Sequence, residues 1–103
     1  MSCLSAVYRT PNDRFDVEYY TTKHVPWFVG LFGEHCQRWE VTVPVTTPGL
    51  PPAPFVAATY VWVDSPDAVA QVLAEHGEEV FGDIPNFSAS PPEAAVSELV
   101  ADG

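Results

Sequence analysis

The sequence is poor in basic residues and in charge altogether. Charged residues make up 17% of the chain, and fourteen acids against four cations leave a net charge of −10. The four cations, scattered singly, are Arg9, Arg14, Lys23 and Arg38. They cannot form the basic stripe that neutralises phosphates, so we expect no nucleic-acid partner. The same shortage disfavours binding to an anionic membrane surface.

Long hydrophobic runs and a secretory leader are also missing. No apolar run approaches the ~20 residues that a membrane-spanning helix needs. Residues 1–9 lack the basic start, apolar middle and small-residue cleavage site of a signal peptide. Two cysteines are too few for a disulfide scaffold. We therefore expect a cytoplasmic protein with no membrane partner.

The common cofactor and metal motifs are absent as well. There is no glycine-rich phosphate loop, no dinucleotide fingerprint and no nucleophile elbow. His35 and Cys36 are adjacent and His76 stands alone, which is not the spacing of metal ligands. The sequence predicts neither a metal nor a cofactor.

Apolar and aromatic residues are abundant. Hydrophobic residues make up 47% and aromatic residues 13% of the 103 residues, which excludes disorder and suffices for one domain. So many large rings in a short chain must be buried or line a cavity. A small chain with little charge and excess apolar area often completes its core by oligomerising.

The sequence pattern of the first half of the chain predicts a strand, a helix and a strand. Residues 4–9 predict the first strand, and Asn12 or Asp13 is a suitable cap for the helix that follows. Pro26 predicts that this helix ends or kinks near His24, with a further helical piece over residues 27–32. The second strand is predicted over residues 37–45.

The second half begins with a proline-rich loop over residues 44–54. The pattern after this loop predicts a strand, a helix and a strand. Residues 55–63 are apolar at nearly every position, which is typical of a strand covered on both faces. Ser65 and Pro66 predict a helix start, and Gly77 predicts its end. Residues 78–87 are expected to be irregular, and residues 93–101 to form an edge strand.

This order predicts an α+β, ferredoxin-like βαββαβ domain that spans the whole chain. Its four-stranded antiparallel sheet has the spatial order 4-1-3-2, with both helices on one face. The other face of the sheet is apolar and has no helix packed on it, so it must be buried against another surface. We therefore expect a homodimer whose two sheets form a barrel. Two strand spacings, ~9.5 Å, separate Cys3 from Cys36, beyond the ~7 Å limit for a disulfide, so both should be free thiols.

Three segments carry a resemblance to a known family. Residues 15–20 (FDVEYY) with His24-Val25-Pro26, residues 55–65 (FVAATYVWVDS) and residues 82–88 (GDIPNFS) resemble the EthD-like family of the dimeric α+β barrel superfamily. The resemblance implies this fold and dimer, and a place in catabolism or secondary metabolism. Its namesake is accessory to an ether-degrading oxidising system, and wider relatives include cofactor-free monooxygenases, lactone isomerases, and polyketide cyclases or decarboxylases. Residues 31–54 depart from the pattern, so no substrate carries over.

His24 is the first candidate for chemistry. It lies beside the proline break with Tyr20 one turn earlier, and its unperturbed pKa of ~6.5 suits general acid–base work. A histidine that ties the helix end to nearby backbone is the alternative. Tyr20 and Tyr60 are candidates to stabilise an oxyanion, although ordinary packing also accounts for them.

Several further residues are candidates to bind an apolar substrate. Asp83 and Asn86 suit turn chemistry, but Asp83 would orient His24 if its segment folds back over the first helix. Core or interface packing is the alternative for the aromatic candidates. The full set of binding candidates is Tyr8, Trp27, Phe28, Trp39, Trp62, Asp83, Asn86 and Phe87.

These residues lead to two functional hypotheses. The first is a cofactor-independent enzyme in which His24 moves a proton on a small apolar or aromatic oxygenated metabolite, of isomerase, cyclase, decarboxylase or monooxygenase type. The second is a non-catalytic dimer that holds a hydrophobic ligand for a partner oxidase, with the proline-rich loop as its docking surface.

Overall fold

The computed structural model describes residues 1–103 as one antiparallel sheet with helices packed on one face. The strands are β1 (Ser2–Arg9), β2 (Cys36–Thr42), β3 (Phe55–Val63) and β4 (Glu93–Glu98). Their spatial order is β2-β3-β1-β4, so the predicted 4-1-3-2 order and the α+β ferredoxin-like fold are confirmed. Both predicted outer strands, over 37–45 and 93–101, are shorter in the structure.

The register decides which residues face the helices. Leu4 lies opposite Val61 and Tyr8 opposite Ala57, and these side chains point into the core beneath the helices. The alternate residues of β3, among them Tyr60 and Trp62, point to the other face, on which no helix packs. Cys3 and Cys36 are free, as predicted.

The first helical segment begins later than predicted. Asp16, not Asn12 or Asp13, is the N-cap of α1 (Val17–Tyr19), and its carboxylate accepts from the Tyr19 backbone N–H at 3.0 Å. Asn12 instead accepts from the backbone N–H of Arg14 at 3.2 Å, which closes the preceding turn.

The helix continues through the predicted break by widening into a π-helical turn over Tyr20–His24. The backbone N–H of Val25 donates to the carbonyl of Tyr20, five residues earlier, and α2 (Val25–Gly30) follows directly. The ring of Pro26 would clash with the carbonyl of Thr22 in a regular α-helix, and the wider turn relieves this clash. The predicted kink near His24 is thus a π-turn.

The second long helix, α3 (Pro66–Asp83), does not end at Gly77 as predicted. Its apolar face continues past the glycine with Val80 and then Ile84, both buried. Burial of these side chains outweighs the ~1 kcal/mol that an interior glycine costs. The predicted irregular segment is therefore helical to Asp83, and a single 3₁₀ turn (Ile84–Asn86) follows. Ser65 precedes α3, but its side chain makes no capping hydrogen bond.

The core consists of two clusters between helices and sheet. One is largely aliphatic and joins β1, β3 and the first half of α3 around Leu4, Val61 and Val69. The other is largely aromatic and gathers Tyr8, Tyr20 and Phe87, whose ring centroids lie 4.8–5.7 Å apart. No helix of the chain is both long enough and apolar enough to cross a membrane.

Candidate active site

A cavity of about 70 Å³ lies between the sheet and the helices. Twelve of its fifteen lining residues are hydrophobic, so a ligand inside would be held mainly by apolar contact. Its few polar groups are the His24 imidazole and the hydroxyls of Tyr8, Tyr20 and Thr59. The other lining residues are Leu4, Ala6, Val25, Phe28, Val61, Leu73, Val80, Phe81, Ile84, Pro92 and Ala94.

His24 ends the π-helical turn, and its imidazole is held from behind by Asp83. The Nδ1 atom of His24 lies 2.8 Å from Oδ2 of Asp83, and the histidine side chain is only 6% exposed. An ionised carboxylate can only accept, so Nδ1 of His24 donates to Asp83. In the neutral form of the imidazole, Nε2 then has the free lone pair. Nε2 has no hydrogen-bond partner in the protein, and His24 is part of the cavity wall. This arrangement suits a general base.

Asp83 is itself fixed by three donors. Besides His24, the Tyr19 hydroxyl and the Asn86 side-chain amide each donate to Oδ1 at 2.8 Å. Partial burial acts to raise the pKa of Asp83, but the hydrogen bonds from Asn86, His24 and Tyr19 together hold that pKa below its usual value. The carboxylate is therefore ionised at neutral pH and can stabilise a protonated imidazole.

Aromatic rings restrict the imidazole on its remaining sides. The ring of Phe87, fully buried, lies 4.6 Å from that of His24, and Tyr20 and Phe28 stack on it at 5.6 and 6.4 Å. Rotation of the imidazole away from Asp83 would collide with these rings, so the packing maintains the orientation of Nε2.

The tyrosine hydroxyls at the cavity are neutral hydrogen-bonding groups. Tyr20 and Thr59 share a short side-chain hydrogen bond. Burial raises the pKa of Tyr20, and burial together with the neighbouring Tyr20 hydroxyl raises the pKa of Tyr8. Both phenols therefore keep their protons and can donate to a ligand oxygen.

The structure brings together most, but not all, of the residues singled out from the sequence. Tyr8, Tyr20, His24 and Phe28 line the cavity. Three more lie behind the imidazole, with Asp83 bonded to it, Asn86 bonded to Asp83, and Phe87 packed against it. The Asp83 segment folds back against the first helical segment, and Asp83 contacts the His24 ring.

Four predicted residues lie away from the cavity. Tyr60 and Trp62 are on the opposite face of the sheet because side chains alternate along β3 and their neighbours Thr59 and Val61 line the cavity. Grouping Tyr60 with His24 and Tyr20 was therefore wrong, as was a cavity wall at Trp62. Trp39, on the edge strand β2, and Trp27, beside His24 at 6.0 Å, are partly exposed and do not line the cavity.

Sequence reasoning missed Tyr19, Thr59 and the second half of α3. Tyr19 precedes Tyr20 in the same motif, but adjacent helical residues point in different directions, and only Tyr20 shares a side with His24. Val80, Phe81 and Ile84 were missed because α3 was expected to end at Gly77. The continued apolar spacing of Val72, Val80 and Ile84 was the signal that could have found them.

Solved structures with this fold are known. The crystal structure of an EthD-like protein from Ralstonia eutropha JMP134 is 30% identical in sequence, with a TM-score of 0.85 over 99% of this chain and 94% of that one. An ethyl tert-butyl ether D (EthD) family protein from Bacillus halodurans C-125 is 20% identical, with a TM-score of 0.71 over 97% and 99% of the two chains. HapK from Hahella chejuensis is 14% identical, with a TM-score of 0.64 over 100% and 96%. The last two show the fold alone.

No protein-family model matches the chain, and no curated protein matches it.

Proposed function

The chain belongs to the EthD-like family, and from this premise we propose that it is a small cofactor-independent enzyme in which His24 transfers a proton on an apolar or aromatic oxygenated metabolite. One observation carries the proposal: a buried imidazole in the wall of an apolar cavity is bonded to Asp83 at 2.8 Å through Nδ1, and its Nε2 has no hydrogen-bond partner in the protein. Such a pair is the common design of a histidine general base.

The proposed step is removal of a proton from a carbon next to, or conjugated with, a carbonyl. Nε2 of His24 takes the proton, and the electron pair of the C–H bond passes to the carbonyl oxygen as an enolate. Asp83 stabilises the imidazolium that forms, and the hydroxyl of Tyr20 or Tyr8 donates to the enolate oxygen. Isomerisation and cyclisation can proceed from this enolate, as can oxygenation with O₂ as the oxidant. In decarboxylation, His24 would take the acid proton of a β-keto acid, CO₂ would leave with formation of the same enolate, and His24 would return the proton to carbon.

Hydrogen–deuterium exchange tests this step without knowledge of the natural substrate. A panel of small apolar ketones and enones is incubated with the protein in D₂O, and loss of the α-proton signal is followed by NMR. We expect His24→Ala to lower the catalysed exchange about 10²-fold or more, with an unchanged circular dichroism spectrum. Exchange at the wild-type rate in His24→Ala would remove the proposed role of His24.

The chain contains its own control for this experiment. His35 and Asp64 form a second pair with the same 2.8 Å distance, but on the surface, where their side chains are 60% and 45% exposed. His35→Ala should leave the exchange rate unchanged. A general effect of losing any histidine would appear equally in both variants.

The proline-rich loop supports a second candidate function, an accessory dimer that holds a hydrophobic ligand for a partner oxidase. In this loop Val45 is 82% and Leu50 69% exposed, and a stiff apolar loop loses little entropy when it binds a protein. In this case a cavity ligand would be recovered unchanged and His24→Ala would bind it as the wild type does. Chemical analysis of the recovered ligand separates this function from catalysis.

A further inference from the structure

A second depression lies on the surface next to the His24 cavity. This groove has a volume of about 420 Å³, and two residues, Phe81 and Ile84, line both it and the cavity. From this common wall the groove extends over residues 88–91 to Arg14. Phe81 and Ile84 are thus the two residues that line both the cavity and the groove.

Arg14 is held in a defined position at the groove. Its guanidinium Nη2 donates to the carbonyl of Ser88 at 2.8 Å, and its own carbonyl accepts from the backbone N–H of Ala89 at 2.9 Å. Its backbone N–H is bonded to the side chain of Asn12, which also donates to the Ser88 hydroxyl. The residue is therefore placed by the fold rather than free on a loop.

The charge of Arg14 is not neutralised within the chain. Arg9 pairs with Glu93 at 3.8 Å and Arg38 with Glu40 at 2.8 Å, whereas Arg14 has no carboxylate within 4 Å. None of the eight residues that line the groove is acidic, and none of the fifteen that line the cavity is. In a chain of net charge −10, an unpaired guanidinium in a groove without acids is suited to binding an anion.

Phe81, in the common wall, offers apolar surface to a ligand. Phe81 is 56% exposed although it lies between the cavity and the groove on α3. A large exposed ring at this position gains from any apolar group that covers it. A ligand that reached from the cavity to Arg14 would cover this ring.

We propose that the cavity and the groove form one binding site for an apolar carboxylic acid. Its apolar part occupies the cavity at His24, its middle lies across Phe81, and its carboxylate binds Arg14. A guanidinium presents two parallel N–H donors that match a carboxylate. The inference rests on the proposed function and specifies its substrate class. Arg14 is the specificity-determining residue, and the carboxylate it holds is separate from the reacting carbonyl.

Two probes of the same shape test the inference. Cinnamate and cinnamamide differ in charge but not in outline, and their dissociation constants can be measured by NMR titration of the backbone amides. We expect the wild type to bind cinnamate about fivefold more tightly than cinnamamide, as is typical of a partly exposed charged contact. Arg14→Gln should weaken cinnamate to the level of the amide, and Arg14→Lys should restore part of the preference.

Lys23 supplies the matched control, since it is also exposed, has no carboxylate partner and does not line the groove. Lys23→Gln should keep the preference for cinnamate. Equal affinity of the wild type for both probes, or an equal loss of preference in Lys23→Gln, would overturn the inference.

Binding is measured here without turnover, so the two proposals can fail separately. If the exchange rate depends on His24 but cinnamate binds no more tightly than cinnamamide, the proton-transfer function stands and the proposed class of substrate, an apolar carboxylic acid, is wrong. If cinnamate is preferred through Arg14 but no exchange depends on His24, the binding site stands and the catalytic function is wrong.

Discussion

His24 and His35 each lie 2.8 Å from an aspartate, yet only one of these pairs is suited to chemistry. The His35–Asp64 pair is open to solvent, where water competes for every hydrogen bond and the ring has no fixed partner beyond the aspartate. His24 is buried, packed between rings and in the wall of an apolar cavity. The His–Asp pair alone does not make His24 suited to act as a base. Its apolar surroundings do, because their low dielectric strengthens the hydrogen bond to Asp83.

Replacing Asp83 by asparagine should weaken catalysis without emptying the cavity. The neutral amide in Asp83→Asn would no longer stabilise the imidazolium or hold the tautomer with the proton on Nδ1, so we expect exchange to fall about 10- to 100-fold. Affinity for cinnamamide should remain within about twofold, since Asp83 does not line the cavity. Parallel exchange and titration measurements check this, and a loss of binding as large as the loss of exchange would contradict a positioning role.

Asp83 should also make the stability of the fold dependent on pH in the acid range. Its pKa is lowered in the folded state by the hydrogen bonds that overcome the effect of burial. Its contribution to stability is therefore fully present above the ordinary pKa of 3.8 and is lost as the pH falls through the lower folded value. Urea unfolding gives the free energies of unfolding of the wild type and of Asp83→Asn, and the difference between them should shrink as the pH falls through this window. A difference that does not change with pH would mean that the ionised carboxylate of Asp83 does not stabilise the fold.

Two helical elements deliver the site, and both depart from simple helix rules. The π-helical turn Tyr20–His24 lets the chain pass Pro26 without ending the helix, and His24 is its last residue. The second half of α3 passes Gly77 and places Asp83 at its C-terminal end, within reach of His24. His24 would be separated from Asp83 if the turn before Pro26 were a regular α-turn, or if α3 ended at Gly77.

The continuity of α3 can be tested at Gly77. A methyl group there would lie 3.9 Å from Cε2 of Phe81, an ordinary contact, and alanine is favoured over glycine in a helix interior by ~1 kcal/mol. Gly77→Ala should raise the melting temperature by about 4–8 °C in a domain of this size. Had α3 ended at this glycine, the same change would lower it.

Gly33 is the matched control for this prediction. Its φ of +56° lies in the left-handed region, where an added Cβ costs ~1 kcal/mol. Gly33→Ala should therefore lower the melting temperature. Thermal unfolding followed by circular dichroism gives both values, and shifts of the same sign in the two variants would contradict the assigned backbone.

At the scale of the whole molecule, the sheet has helices on one face and none on the other. The chain is thin, with principal extents of 39 × 37 × 19 Å, as expected for one layer of helices on one sheet. The other face presents Tyr60 and Trp62, and the indole Nε1 of Trp62 is enclosed without a hydrogen-bond partner. We propose that a second copy covers this face and completes a homodimer.

A charge placed on this face should separate the copies. Light scattering at low micromolar concentration is expected to give twice the 11.3 kDa chain mass for the wild type. Trp62→Glu should give the single mass, because taking a carboxylate out of water at an interface is costly. Trp39→Glu, at a partly exposed tryptophan whose side chain points to the helical side, should remain dimeric. A monomeric wild type would refute the proposal.

The order and direction of the elements followed from local patterns alone. Alternation, strand-forming residues and turn signals placed β1 and β3 in the sequence, and β-α-β-β-α-β order restricts a small chain to few topologies. The motifs over residues 15–26 and 82–88 likewise marked His24 and Asp83. Local signals failed where burial outweighed them: Gly77 is a helix stop in isolation, but not beneath Val80 and Ile84.

By itself, then, the amino-acid sequence determined the α+β topology and the family, and it singled out His24 as the candidate base, since these depend on residue types and short spacings. Only the tertiary structure decided that Asp83 and His24, fifty-nine positions apart, meet at 2.8 Å, and that Tyr60 points away from them. The reason is geometric: hydrogen-bond partners across helices and the face on which a strand residue points are set by register and helix phase. A shift of one residue in the strand register or in the helix phase would change the hydrogen-bond partners and the face on which a side chain lies. The amino-acid composition would be the same in both cases.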